Sequence, residues 1–175
     1  MVANVSVIIP AAGLSLRMKA DKRKPYIVIG EKPIIFHTLE KFSRLQTIKE
    51  IILVVNKEDV SSVIEKWSDT LKSYKVSKIV PGGRRRQDSV YKGLCQIHPD
   101  TEIVLIHDAV RPQGFKRDII TKAYDKILNS SIEFTDDAAV VENEGYTIKI
   151  VSGSDDNIKI TTPEDLQLAE SLLVS

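Results

Sequence analysis

The stretch Val5-Ser-Val-Ile-Ile-Pro-Ala-Ala-Gly-Leu-Ser-Leu-Arg-Met18 joins a β-branched run to a loop of small residues. Val5 to Ile9 is short, apolar and stopped by Pro10, as a buried strand would be. Small residues at 11 to 13 let backbone approach a ligand closely. Exposed N–H groups there can hold phosphate oxygens, and Arg17 adds a planar fork of donors suited to phosphate. Lys19, Lys22, Arg23 and Lys24 follow as a local basic cluster. The loop is neither G-x-x-x-x-G-K-[ST] nor G-x-G-x-x-G, because Gly13 has no properly spaced partners. On chemistry alone it reads equally as a phosphate-holding turn and as a tight turn before a solvated basic segment.

Working outward, strands and helices alternate. A helix follows Lys32, with Pro33 in its first turn and Ile35, Leu39 and Phe42 on one face. Ile51-Ile-Leu-Val-Val55 reads as a second strand, and Val60, Ile64, Trp67 and Leu71 repeat at helical spacing, Trp67 as a core anchor. Val76 to Val80 is a third, weaker strand stopped by Pro81-Gly-Gly83, and Gln87 to Gln96 a helix with Val90 and Leu94 inward. Ile103 to Ile106 is a fourth strand, and Ile119, Ile120, Ala123 and Ile127 mark another helix. Ile148 to Val151 reads as a late strand. Thr162, Pro163 and Asp165 open the last helix with a variant capping box. This order predicts an α/β fold, a mostly parallel sheet with helices on both faces. Such sheets bind ligands at the carboxyl ends of their strands. The loops after Ile9, Val80 and Ile106 all fall there.

The 175 residues suit a single domain, residues 1–175, and 42% hydrophobic with 28% charged residues is ordinary for a soluble globular chain. A formal net charge of +1 offers no global basic field for nucleic acid or acidic membrane, so an anion site has to be local. No run approaches the apolar length of a membrane span, and the N-terminus has no basic segment leading into an apolar run. A cytoplasmic protein with neither nucleic-acid nor membrane partners is the expectation. The single cysteine, Cys95, excludes an intrachain disulfide and is expected as a small core residue.

The second loop, Gly82-Gly-Arg-Arg-Arg-Gln-Asp-Ser89, opens a helix whose free N–H groups could read a base edge or hold an anion. Its three adjacent arginines read more simply as a charged surface turn. In His107-Asp-Ala-Val-Arg-Pro112, an aspartate just past an apolar strand is placed to hold Mg²⁺ through carboxylate and phosphate oxygens. Arg111 could hold a second phosphate. The alternative for Asp108 is a turn or helix cap, and His107 reads as structural. Lys159 lies in a short extended piece before the capped helix, reaching inward to phosphate or simply exposed. Nothing suggests covalent chemistry: Ser89 lacks a G-x-S-x-G setting, and no Cys/His metal spacing exists.

Six segments together resemble one family. They are Pro10 to Met18, Lys24-Pro-Tyr26, Pro81-Gly-Gly with Arg86-Gln-Asp-Ser-Val90, His107 to Pro112, Phe134-Thr-Asp-Asp137, and Asn157-Ile-Lys-Ile-Thr-Thr-Pro-Glu-Asp-Leu166. In that order they are similar to the 2-C-methyl-D-erythritol 4-phosphate cytidylyltransferases of the non-mevalonate isoprenoid pathway. The resemblance implies a Rossmann-like nucleotidyltransferase fold and Mg²⁺-dependent transfer of CMP from CTP to a sugar-alcohol phosphate. It implies that Arg17, Lys24 and Lys159 are catalytic and that Asp108 holds Mg²⁺. It assigns Pro10, Ala11, Ala12, Gly13, Gly82, Arg86, Ser89, Asp108 and Ala109 to the nucleotide, and Arg111, Thr135 and Lys159 to the substrate phosphate.

The chain departs from the family pattern in three places. Ser15 stands where the family usually has Gly, and Arg23-Lys-Pro-Tyr26 where Pro-Lys-Gln-Tyr is common. More substantially, Pro112 runs directly into Gln113-Gly-Phe115, where the family carries several tens of residues. That interval normally supplies a strand, a dimerising β-arm and an arginine that clamps the partner subunit's substrate. Its loss leaves the CTP cradle but puts the expected homodimer and acceptor selectivity in question. Two rivals remain open: a ribitol-5-phosphate cytidylyltransferase of the same family, and a catalytically inactive nucleotide-binding protein.

Overall fold

The computed structural model describes residues 3–13, 23–108, 112–128, 130–154, 157 and 159–174. Its main sheet contains β1 (Val5–Ala11), β4 (Ile48–Val55), β5 (Val76–Pro81), β6 (Ile103–Ile106) and β7 (Gln113–Lys116). The strand order is β5-β4-β1-β6-β7. β1 pairs parallel with β4 and β6, and β4 parallel with β5, whereas β7 is antiparallel to β6. A two-stranded ribbon, β2 (Val28–Ile29) with β3 (Lys32–Pro33), stands apart from it.

Successive side chains of a strand point to opposite faces, and the two halves of the core follow from that. Ile8, Ile52 and Val54 face α3 (Arg86–Leu94), α4 (Arg117–Ile127) and α5 (Asp137–Asn143). Val7, Ile9, Ile51, Leu53 and Val55 face α1 (Ile34–Ser43) and α2 (Val60–Ser73). With both faces covered, β1 and β4 read as continuous apolar runs. The α/β architecture expected from the alternation is the one observed. Trp67 sits among aromatics as expected, with ring centroids 5.4 Å from Phe36 and 5.6 Å from Tyr26.

The structure corrects several expectations. Ile148 to Val151 forms no strand; Ile150 and Val151 are 91% and 75% exposed. An extended segment becomes a strand only when a neighbour takes up its N–H and C=O groups, and the antiparallel place beside β6 belongs to β7. Cys95 is exposed, because it is the C-cap of α3 and lies one helical step past the inward Leu94. Ile64 is also exposed, Val63 and Leu71 carrying the inner face of α2. Pro33 is the N-cap of α1 rather than part of its first turn. The strand β7 and the helix α5 were not anticipated, both being short.

At the C-terminal end, α6 (Pro163–Val174) starts as its capping residues imply. Asp165 Oδ2 accepts from Thr161 N at 2.7 Å and Thr162 N at 2.8 Å, and Asp165 N donates back to Thr162 Oγ1 at 3.4 Å. Among the described residues no helix is long and apolar enough to cross a membrane.

Candidate active site

The parallel register brings the carboxyl ends of three strands to one level: Ala11 lies opposite Val55, and Val55 opposite Pro81. The loops that follow therefore meet. Gly82 N donates to Val55 O at 2.7 Å, which turns the second loop back toward the first. A Cβ on Gly82 would stand 2.4 Å from the Ala12 Cβ, so only glycine allows this approach. Asn56, directly after β4, reaches from Nδ2 to Ala12 O at 3.5 Å. Pro10 to Gly13 and Gly82 thus form one continuous backbone surface. Gly13 is exposed at its rim.

Ser89 lies beneath that surface. It is buried, and its Oγ accepts from Gly83 N at 3.0 Å and donates to Arg85 O at 3.2 Å, which pins the Gly-Gly turn to α3. Arg85 is the N-cap of α3, and its N donates to Asp88 Oδ2 at 2.9 Å. The Arg85 side chain closes on the same carboxylate and holds the Asp88 pKa below its ordinary value.

Asp108 follows β6 and meets the second loop through Arg86, whose Nε donates to Asp108 Oδ2 at 2.7 Å. The same guanidinium donates from Nη1 and Nη2 to the two oxygens of Asp137, at 3.0 and 2.5 Å. Asp137 is fully buried and also accepts from Tyr124 Oη at 2.5 Å. Burial opposes the charge on Arg86, but its bonds to Asp137 and the charges of Asp137 and Asp108 raise its pKa above the ordinary arginine value. Burial beside Asp137 likewise pushes the Tyr124 hydroxyl upward.

His107 is packed edge-on against Phe42, ring centroids 5.0 Å apart. Burial lowers its pKa, and the Lys41 and Lys24 charges act in the same direction, against Asp108. Lys24 opens a 3-10 turn, Lys24–Tyr26, on the same side of the sheet. Arg23 anchors that turn to the start of α2 by ion pairs with Glu58, at 2.8 Å, and Asp59.

Of the residues singled out in the sequence, the structure brings together Pro10, Ala11, Ala12, Gly13, Gly82, Ser89, Arg86 and Asp108. Thr135 is exposed in the bend before α5, and Lys159 is exposed in the extended piece before α6. Arg17, Ala109 and Arg111 lie outside the described residues. Asp137, Tyr124, Gln87 and Asn56 had no assigned role. Asp137 fell inside a quoted motif and Asn56 stands at a strand-to-helix junction, where Asn is a common cap. Gln87 also fell inside a quoted motif, whereas Tyr124 gave no local signal.

Among the described residues no three His, Cys, Asp or Glu side chains cluster to hold a metal. A lone carboxylate still suits Mg²⁺, which dehydrates reluctantly and is commonly held by one or two carboxylates together with substrate phosphates.

A family model for 2-C-methyl-D-erythritol 4-phosphate cytidylyltransferase (IspD) matches residues 5–112 and 109–175. The chain belongs to this family. Members of the cytidylyltransferase family are nucleotidyltransferases. The protein of that name from Clostridium botulinum (strain ATCC 19397 / Type A) is 37% identical over 225 residues, covering 96% of this chain and 96% of its own. The one from Alkaliphilus oremlandii is 35% identical over 226 residues, covering 98% and 96%. The solved 4-diphosphocytidyl-2C-methyl-D-erythritol synthase of Anaerococcus prevotii superposes with a TM-score of 0.82 at 29% identity, over 99% of this chain and 97% of that one. The Thermus thermophilus cytidylyltransferase shares the fold, with a TM-score of 0.77 at 23% identity over 98% and 100%. The two family-matched stretches meet at residues 109–112, the junction between β6 and β7.

Proposed function

We propose that this cytidylyltransferase-family chain transfers CMP from CTP to 2-C-methyl-D-erythritol 4-phosphate, releasing pyrophosphate. The observation that carries the reading is the meeting of Ala12, Gly82, Arg86 and Asp108 at one sheet edge. An oxygen of the acceptor phosphate attacks the α-phosphorus of CTP in line; the bond to the β-phosphate oxygen breaks, and pyrophosphate leaves. No enzyme-bound intermediate forms, so catalysis is positioning and charge stabilisation.

In this reading Pro10 to Gly13, Gly82, Ser89 and Ala109 receive cytosine and ribose. Arg17, Lys24 and Lys159 face the charge that develops on the transferring group. Arg111, Thr135 and Lys159 take the acceptor phosphate. Asp108 would hold Mg²⁺, which when bound neutralises phosphate charge. The reaction belongs in the cytoplasm, where CTP is available.

The chain reads as one domain, residues 1–175, without the β-arm of its relatives. Two observations support this: the two family matches overlap at residues 109–112, and the alignment with the Clostridium protein runs over 225 positions although this chain has 175 residues. β6 and β7 pair antiparallel, with Ile106 opposite Gln113, on either side of that junction. Without the arm the acceptor half has fewer walls, and that keeps ribitol 5-phosphate as a second reading.

A pyrophosphate-release assay with CTP, Mg²⁺ and each acceptor tests this. Release with methylerythritol phosphate well above that with ribitol phosphate supports the reading, and the reverse order supports the second. CTP binding with no release from either acceptor would show a nucleotide-binding protein instead.

A further inference from the structure

We infer that Arg86 is a positioning residue that locks Asp108 to the segment 130–137, so that the nucleotide and acceptor sides share one fixed geometry. The inference rests on the proposed reading of Asp108 and Thr135. Each of the three Arg86 nitrogens already donates to a carboxylate of the protein itself. The bidentate pair with buried Asp137 fixes the guanidinium plane, because two parallel bonds to one carboxylate leave it no free rotation. With the plane fixed, the direction of Nε is fixed, and so is the Asp108 oxygen it holds. Tyr124 locks Asp137 from α4.

The neighbours of Arg86 extend the same clamp. Arg85 Nη1 donates to Ser130 O at 2.9 Å, and Gln87 Nε2 donates to Ile132 O at 3.1 Å. Phe134 N donates to Gln87 Oε1 at 3.0 Å. Three consecutive residues at the start of α3 therefore hold 130–137 along its length, with Thr135 inside the held span. Only Arg86 also touches Asp108. It is a direct side-chain link through which occupancy at Asp108 can be felt at the acceptor segment.

A double-mutant cycle on CTP binding in Mg²⁺, read by calorimetry, tests the first half. Arg86→Lys keeps the charge and loses the fork; it weakens CTP binding about tenfold, the usual effect of removing a partner that orients a ligand-holding group. Combined with Asp108→Asn, it adds nothing beyond Asp108→Asn alone, because it acts through that carboxylate. Losses that multiply would mean Arg86 touches the nucleotide directly, and would overturn the inference. Tyr124→Phe removes one hydroxyl from the lock and keeps the fold; a smaller loss, again absent in the Asp108→Asn background, is expected.

Amide hydrogen exchange tests the second half. Exchange at Phe134 should slow when CTP and Mg²⁺ saturate the unaltered chain, and the slowing should vanish in Arg86→Lys at saturation. Equal slowing in both, or none in the unaltered chain, overturns the coupling. A chain that binds no CTP overturns the proposed function itself, and this inference falls with it.

Discussion

Gly82 and Ala12 lie so close that a Cβ added to Gly82 would stand 2.4 Å from the Ala12 Cβ, with Ser89 Oγ at 3.1 Å on another side. The contact joins the loop after β1 to the loop after β5, and it depends on one missing methyl group. Gly82→Ala should force the loops apart. The expected cost is about 1–3 kcal/mol of stability, the range for overpacking a tight site, with CTP affinity falling alongside. Gly13→Ala is the control, since no atom of the described residues lies within 4 Å of its added Cβ. Urea denaturation of both variants checks the difference.

Lys24 and Arg17 are proposed to face charge that appears only as the phosphoryl group transfers. Their truncation to alanine should therefore lower kcat by about 10²-fold or more, with a smaller change in CTP affinity. Steady-state kinetics alongside CTP calorimetry separates the two quantities. Near-normal turnover in either variant would sink these roles.

The pair of Arg86 with fully buried Asp137 makes a stability prediction independent of catalysis. Among the described residues, Arg86→Ala leaves the buried Asp137 carboxylate only the Tyr124 hydroxyl. Breaking a buried pair from one side costs about 3–5 kcal/mol. Equilibrium unfolding should show that loss at neutral pH, and a shift under about 1 kcal/mol would place Asp137 in contact with water.

Asp165 carries a pH dependence. Its bonds from Thr161, backbone first and then hydroxyl, together with the Thr162 N–H, lower its pKa from 3.8 to about 2. A carboxylate whose folded pKa is depressed contributes stability above its unfolded pKa and loses it as pH falls through the folded one. The difference in Tm between the unaltered chain and Asp165→Ala should therefore be full above about pH 5 and shrink between pH 4 and 2. Thermal melts across that window check it. A difference that stays constant to pH 2 would mean the cap acts without its charge.

The proposed reading of the chain without the family's arm predicts a monomer. Light scattering after size exclusion at micromolar concentration should give a mass near 19.6 kDa. A stable dimer would locate a self-association surface elsewhere on the chain.

Val5 to Ile9, Ile51 to Val55 and Ile103 to Ile106 were legible as strands because each is a short apolar run, but Pro10 does not end the first: β1 continues through it to Ala11, opposite Val55. The capped start of α6 was legible because a cap is a contact among residues three apart. Ile148 to Val151 has equal β propensity and fails, since a strand also needs a neighbour. Gln113 to Lys116 has weak propensity and succeeds, since β6 takes up its backbone groups in an antiparallel pair.

The sequence by itself determined the alternation of strands and helices, and so the sheet edge at which the small-residue and aspartate loops emerge. Those features depend on periodicity and turn chemistry, which act over a few residues. The tertiary structure alone decided what the second loop does. Three adjacent arginines read as a charged surface turn, yet Arg86 reaches Asp108, 22 positions away, and Asp137, 51 positions away. Its neighbour Arg85 instead closes on Asp88 within the same turn. No local pattern distinguishes the two. The difference is set by which face of α3 lies toward β6 and α5, and that is settled only when both halves of the core have packed.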